Sequence, residues 1–209
     1  MTEGLFITGT DTGIGKTWVG CHTAKALRQR GVKLQVRKPA ESGCLMTASG
    51  LLPRDAQALR AASGSTEPLE RICPYRFQAA VSPPRAAELE GRSLTLAMLI
   101  EACQRSPDHW LMVEGAGGFY SPIAEDGVNA DLAAALSLPL LIVAPDRLGV
   151  INQVLLTLEA ARRRGLEVMA VFLNRMKPLP AELDNAGELR QWTRTPVVRS
   201  VNQLIGLLV

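Results

Sequence analysis

The chain has 209 residues, 47% of them hydrophobic and 21% charged, with a formal net charge of +3. That length suits one domain, 1–209, that buries roughly 70% of its unfolded surface, and the composition excludes a disordered chain; the absence of any long Lys/Arg run argues against a nucleic-acid or membrane partner. Four cysteines without a C-x-x-C pair and only two histidines argue against a zinc site or disulfide framework, while Met1-Thr2-Glu3-Gly4 opens without a basic leader and no apolar run nears the ~20 residues of a membrane span, so a cytoplasmic protein is expected.

In chain order, an apolar run predicts a strand over 5–8. A helix over 17–30 follows, ending in the basic turn Arg28-Gln29-Arg30 before Gly31. A strand over 34–37 leads to a Gly/Ser/Pro-rich stretch, 41–54, and a helix over 55–62. A second such stretch, 64–84, precedes a helix over 94–104. The remainder alternates: strand 110–113, helix 129–137, strand 140–144, helix 151–164, strand 168–173, helix 181–192 and strand 196–198. Most strands are continuously apolar, as expected of strands covered on both faces. The alternation predicts an α/β fold, a mostly parallel sheet with helices on both faces. The two irregular stretches are long for a compact domain, and long loops are often functional.

Polar residues gather just after the strands. Gly9 follows the first, Lys38 the second and Glu114 the third. Asp146 comes two residues after the fourth, and Asn174 follows the fifth. Ligands of open parallel sheets bind outside the carboxyl ends of the strands, so these positions describe a single rim.

Gly9-Thr10-Asp11-Thr12-Gly13-Ile14-Gly15-Lys16-Thr17 sits between a strand and a helix. It is one residue longer than the usual phosphate-binding P-loop, G-x-x-x-x-G-K-[ST], with Thr10 where the first glycine is expected. The physics is that of a phosphate cradle all the same. Gly13 and Gly15 let backbone N–H groups turn inward, and a helix begins at the loop with its positive end. Lys16 suits β- and γ-phosphates, and the Thr17 hydroxyl suits Mg²⁺. The fold expected is therefore P-loop NTPase-like, with a nucleotide held through its phosphates.

Glu114 opens the run Glu114-Gly115-Ala116-Gly117-Gly118. A carboxylate at a buried strand end beside a P-loop is where a second metal ligand is wanted. Lys38 would offset charge that builds up during phosphoryl transfer. Read alone, Asp55 is equally a helix N-cap, Ser42 a turn residue and Asn174 a strand terminator. The sequence holds no Ser-His-Asp or Cys-His arrangement. The basic run Arg162-Arg163-Arg164 is explained by a helix C-terminus.

Taken together, Gly9 to Thr17, Lys38-Pro39, Ser42-Gly43, Asp55, Glu114 to Gly118 and Asn174 resemble dethiobiotin synthetase in order and spacing along nearly the whole chain. So do Tyr75-Arg76-Phe77, Ser82-Pro83, Glu90-Gly91-Arg92 and Leu148-Gly149-Val150-Ile151-Asn152. The resemblance implies ATP-dependent closure of 7,8-diaminononanoate with CO₂ to dethiobiotin, through a carbamate and a carbamic–phosphoric anhydride. Lys16 and Lys38 would be catalytic, and Thr17, Asp55 and Glu114 would hold Mg²⁺. Gly13, Ile14, Gly15, Lys16, Thr17 and Trp18 would wrap the nucleotide, with Gly115, Ala116 and Gly117 beside it and Asn174 and Arg175 near the adenine. Thr12, Lys38, Ser42, Gly117 and Gly118 would meet the diamine or carbamate. The family is homodimeric, which implies that the segment around Asn152 reaches the partner's substrate at the interface.

Two departures stand out. Gly13 replaces a larger, often acidic residue. After the last strand, Val197-Val198-Arg199-Ser200-Val201-Asn202 has no proline and the chain stops at Val209, so the family's adenine-touching Pro loop and helical tail are not expected. Two competing readings fit the residues less well. A cobyrinate-type amidase would need a glutaminase domain with a nucleophilic cysteine, for which the chain is too short. A ParA/MinD-like ATPase switch would need a further lysine early in the loop, and 9–15 contain none.

Overall fold

The computed structural model describes residues 4–178 and 180–208; Met1, Thr2 and Glu3, where the sequence shows no basic leader, and Val209 lie outside the described residues. In chain order the first half contains β1 (Gly4–Gly9), α1 (Lys16–Gln29), β2 (Leu34–Arg37), β3 (Ala40–Glu41), β4 (Leu45–Thr47), β5 (Gly50–Leu52), α2 (Arg54–Ser63), α3 (Leu69–Ile72), β6 (Tyr75–Arg76), α4 (Pro83–Leu89) and α5 (Leu96–Ala102). The second half contains β7 (Trp110–Glu114), β8 (Pro122–Ala124), β9 (Gly127–Val128), α6 (Asn129–Leu136), β10 (Leu140–Pro145), α7 (Val150–Arg163), β11 (Val168–Asn174), α8 (Asn185–Trp192), β12 (Val197–Val198) and α9 (Val201–Leu208).

Six strands form one sheet in the order β12-β11-β10-β1-β7-β2, every pair parallel. The pleat sends successive side chains to opposite faces. Leu5 and Ile7 of β1 accordingly enter one core and Phe6 the other; Leu141 and Val143 of β10 separate from Leu140 and Ile142 in the same way. The first core is closed by Val19 of α1, Ala56 and Leu59 of α2, Ile72 of α3 and Leu204 and Ile205 of α9. The second is closed by Ala86 of α4, Leu99 of α5, Leu132 of α6, Val154 of α7 and Leu189 of α8. Each fully buried Leu, Ile or Phe contributes about 1.5–3 kcal/mol, so both layers hold the sheet.

Three features differ from the sequence reading. The stretches 41–54 and 64–84 are ordered: β3 pairs with β6 in parallel, and β4 and β5 make an antiparallel hairpin. These strands have two or three residues each, too short for hydrophobic periodicity to register. The helix expected from 181 starts at Asn185, because the Asp184 side chain caps it by accepting the Gly187 N–H. A helix also follows the last strand. α9 spans eight residues and packs Leu204, Ile205 and Leu208 into the core beside α1.

Candidate active site

The strand ends meet on one rim. Gly9, Glu114 and Asn174 are the last residues of β1, β7 and β11; Lys38 and Asp146 each stand one residue beyond β2 and β10. Parallel register sets Ile7 opposite Glu114 and Pro145 opposite Asn174.

The longer loop has a steric reason. Ile14 folds inward and is buried, and a Cβ on Gly9 would stand 2.5 Å from its Cδ1 and 3.1 Å from the Val143 carbonyl. A side chain at 9 would press on Ile14 and on the Val143 carbonyl, which favours glycine there. Gly15 opens α1 at φ 89°, with no side chain capping the helix, which leaves the first N–H groups of the helix for a ligand. Asn174 packs on this glycine: its Nδ2 donates to the Ile14 carbonyl at 2.9 Å, and a Cβ on Gly15 would come within 2.1 Å of it. Gly13 also has positive φ, but a Cβ there would meet nothing within 4 Å. The room taken by a larger residue is open at this position.

Lys38 organises the floor of the site. Its Nζ stands 2.7 Å from Glu114 Oε1, donates to the Gly115 carbonyl at 2.8 Å and lies 3.5 Å from Asp55 Oδ2. Burial alone would push its pKa down, but Glu114 and Asp55 more than offset this and hold the ammonium above the ordinary lysine range. The Thr17 hydroxyl donates to the same Oε1 at 2.8 Å. Glu114 Oε2 is buried and accepts no hydrogen bond.

That free oxygen, the Thr17 hydroxyl and the Asp55 carboxylate are hard donors of the kind Mg²⁺ takes. No group of three or more His, Cys, Asp or Glu forms a metal cage among the described residues. An ion held by one or two carboxylates plus nucleotide phosphates does not need one. Lys16 reaches back to donate to the Asp11 carbonyl at 2.8 Å. Its pKa is brought down to about 8, first by burial and next by the Lys38 charge.

The cleft above these groups, about 360 Å³, is lined by Thr12, Lys16, Thr17, Lys38, Asp55 and Glu114, together with Gly13, Gly15, Glu41, Ser42, Ala116 and Gly117. A second cavity of about 400 Å³ shares Thr12, Ser42, Ala116 and Gly117 and continues over Ala80, Val81, Pro83 and Pro122. A charged chamber thus opens into a more apolar one. Ser42 donates to the Val81 carbonyl at 2.5 Å and Gly118 N–H to Ser121 Oγ at 2.8 Å. The Phe119 N–H donates to the Gly9 carbonyl, fastening the glycine-rich loop to the P-loop.

Other expected residues lie further out. Trp18 is half exposed and stacks on His22, with ring centroids 4.0 Å apart. Arg175 reaches to 3.9 Å from Asp146. Asn152 is exposed on the first turn of α7 and does not line the cleft of its own chain. Sequence reasoning passed over Glu41 and Asn129. Asn129 is fully buried; its amide accepts the Ala116 N–H and donates to the carbonyls of Ala116, Gly118 and Ser121. Asn129 thereby fixes the loop that supplies the Gly115 carbonyl to Lys38. As an Asn at a helix start it carries no sequence signal beyond an ordinary cap.

The family model described as an AAA domain matches residues 3–207. The ATP-dependent dethiobiotin synthetase of Anaeromyxobacter dehalogenans (strain 2CP-C) is 46% identical over 195 residues, 91% of this chain and 86% of the relative. That of Rhodopirellula baltica is 40% identical over 225 residues, 100% of this chain and 88% of the relative. Among solved structures, a ParA family ATPase from Chlorobium tepidum TLS superposes with a TM-score of 0.51 at 12% identity, over 99% of this chain and 89% of that one. At that identity the likeness shows the P-loop NTPase-like fold and nothing further.

Proposed function

This chain belongs to the ATP-dependent dethiobiotin synthetase family, and we propose that the cleft at its strand ends is where the ring closure takes place. The enzyme is a ligase that joins 7,8-diaminononanoate and CO₂ to give dethiobiotin, with ATP converted to ADP and phosphate. One amine of the substrate adds to CO₂ and loses a proton, leaving a carbamate. A carbamate oxygen attacks the γ-phosphorus, and ADP leaves. The second amine then attacks the activated carbon, the C–N bond closes the ring, and phosphate departs with loss of a proton.

The observation that carries this reading is the joined cluster of P-loop, Lys38, Glu114 and Asp55 on the floor of a charged chamber that opens into an apolar one. A substrate with a polar diamine at one end and an aliphatic chain suits such a pair of chambers. Each step above develops negative charge on oxygen, and the substrate's own amines and carbamate are the nucleophiles, so positioning and fixed positive charge supply the catalysis and no nucleophilic side chain is required. Lys16 faces the β- and γ-phosphates, and Lys38 offsets charge on the carbamate and the transferring phosphoryl group. Thr17, Asp55 and Glu114 hold Mg²⁺, which when bound neutralises phosphate charge. Thr12, Ser42, Gly117 and Gly118 contact the diamine end, and Asn174 and Arg175 the adenine.

The whole chain, 1–209, acts as one domain and pairs as a homodimer that brings Asn152 to the partner's substrate. The exposed Tyr120 and Leu156, which line one groove together with Phe119 and Ala160, support that pairing, since apolar residues grouped on one face mark contact surfaces. The four unpaired thiols suit the reducing cytoplasm. The test mixes protein, diaminononanoate, bicarbonate and Mg-ATP, with CTP and GTP in parallel. Diamine-dependent phosphate release is expected; its absence with all three nucleotides would overturn the proposal.

A further inference from the structure

Glu41 has no role in the reaction above, yet it holds the element that carries Asp55. The first N–H groups of a helix have no partner within the helix, and an N-cap side chain with an oxygen usually accepts one of them. The N-cap of α2 is Pro53, which offers no such oxygen. The acceptor arrives from another strand. Glu41, the last residue of β3, takes the Asp55 N–H on Oε1 and the Ala56 N–H on Oε2, both at 3.0 Å. Glu41 is 7% exposed and lines the charged chamber. Burial raises its pKa, opposed by those two N–H groups and by Lys38.

A buried carboxylate with both oxygens committed to one helical turn sets where that turn lies. The side chain of Asp55 is itself 44% exposed and meets Lys38 Nζ only at 3.5 Å. Its placement therefore depends on its backbone more than on its own packing. We propose that Glu41 is a positioning residue: by clamping the first turn of α2 it fixes the Asp55 carboxylate relative to Lys38 and Thr17, and with it the geometry of the Mg²⁺ site. This rests on the reading of Asp55 as a metal ligand.

The experiment is a titration calorimetry series, Mg²⁺ into protein saturated with a non-hydrolysable ATP analogue, beside steady-state kinetics. It compares wild type, Glu41→Gln, Asp55→Asn and the double variant. Glu41→Gln keeps the size of the side chain but turns one acceptor into a donor facing a backbone N–H. Groups that orient metal ligands typically alter metal affinity by about 10–100-fold. The Mg²⁺ Kd is expected to rise about tenfold in Glu41→Gln while the diamine KM stays within about twofold. In the double variant the loss should not exceed that of Asp55→Asn alone, because the two residues act as a unit. If Asp55→Asn leaves Mg²⁺ binding intact, the metal-ligand reading and this inference fall together. If Asp55→Asn weakens binding but Glu41→Gln does not, or if the two losses add, only this inference falls. Glu41→Asp keeps the charge and withdraws the carboxylate by one methylene; should Glu41→Gln not fold, it gives the same readout.

Discussion

The two ends of the rim are built from the same kind of strand terminus but hold charge in opposite ways. At the Lys38 end the paired side chains are 4% and 0% exposed and 2.7 Å apart. At the Asn174 end, Arg175 and Arg199 are 56% and 35% exposed and stand 3.9 and 3.6 Å from the buried Asp146. Asp146 Oδ2 takes no hydrogen bond from either. A buried charge persists only when it is paired and hydrogen-bonded, so the Lys38 end is fixed before any ligand arrives. The more exposed arginines, Arg199 with a surface hydrogen bond to Asp184 among them, can shift with what binds. Catalysis that depends on preset charge suits the first end, and the base contact proposed for Asn174 and Arg175 suits the second.

The sharpest way to break this contrast is Lys38→Met. It leaves Glu114 buried with only the Thr17 hydroxyl as donor. Removing one partner of a buried ion pair costs about 3–5 kcal/mol, and turnover should be lost with it. Urea denaturation measures the first and phosphate release the second. A variant within about 1 kcal/mol of wild type would place the pair in the weak, surface class.

A smaller effect comes from Lys16. With a pKa near 8 in the free protein, it loses its proton as pH rises through that value. Phosphate favours the ammonium, so nucleotide binding should take up a proton between about pH 8 and 9 and weaken above it. Calorimetry of ADP binding in buffers of different ionisation enthalpy detects this uptake. Binding that is proton-neutral at pH 8.5, as it should become in Lys16→Met, would show that burial does not hold the free lysine down.

The sequence made the Lys38 end far more legible than its supports. Lys38, Glu114 and the P-loop announce themselves because chemistry demands those residue types at strand ends, and continuous apolar runs locate the strands. Glu41 and Asn129 act on backbone groups far away in the chain, 14 residues on in one case and 13 back in the other. Their residue types are equally at home on a surface, so no local pattern separates the two roles. The glycine at 9 reads in the sequence as a displaced motif residue; Ile14 and the Val143 carbonyl crowd the space a side chain there would take. The short α9 was missed because an apolar run at the end of a chain has the same appearance whether it packs or ends loose.

The Asn174 end supplies the smallest expected effect, in Arg199→Ala. Arg199 donates to Asp184 Oδ1 at 2.8 Å and faces Asp146, which keeps a hydrogen bond from Asn185 Nδ2 at 2.8 Å. Asp146 thus retains a donor and the neighbouring Arg175 when Arg199 is removed, and exposed ion pairs contribute little to stability. Asn174 keeps its bond to the Ile14 carbonyl, which does not involve Arg199. The P-loop should therefore stay in place. kcat at saturating ATP is expected within about twofold of wild type, while the ratios of kcat/KM for ATP, GTP and CTP move by up to about tenfold, the range of one altered hydrogen bond or charge contact. A large fall in kcat would mean that the two ends are mechanically joined through Asn174. Unchanged ratios would mean that Arg199 only caps the Asp146 network, leaving the base to Asn174 and Arg175.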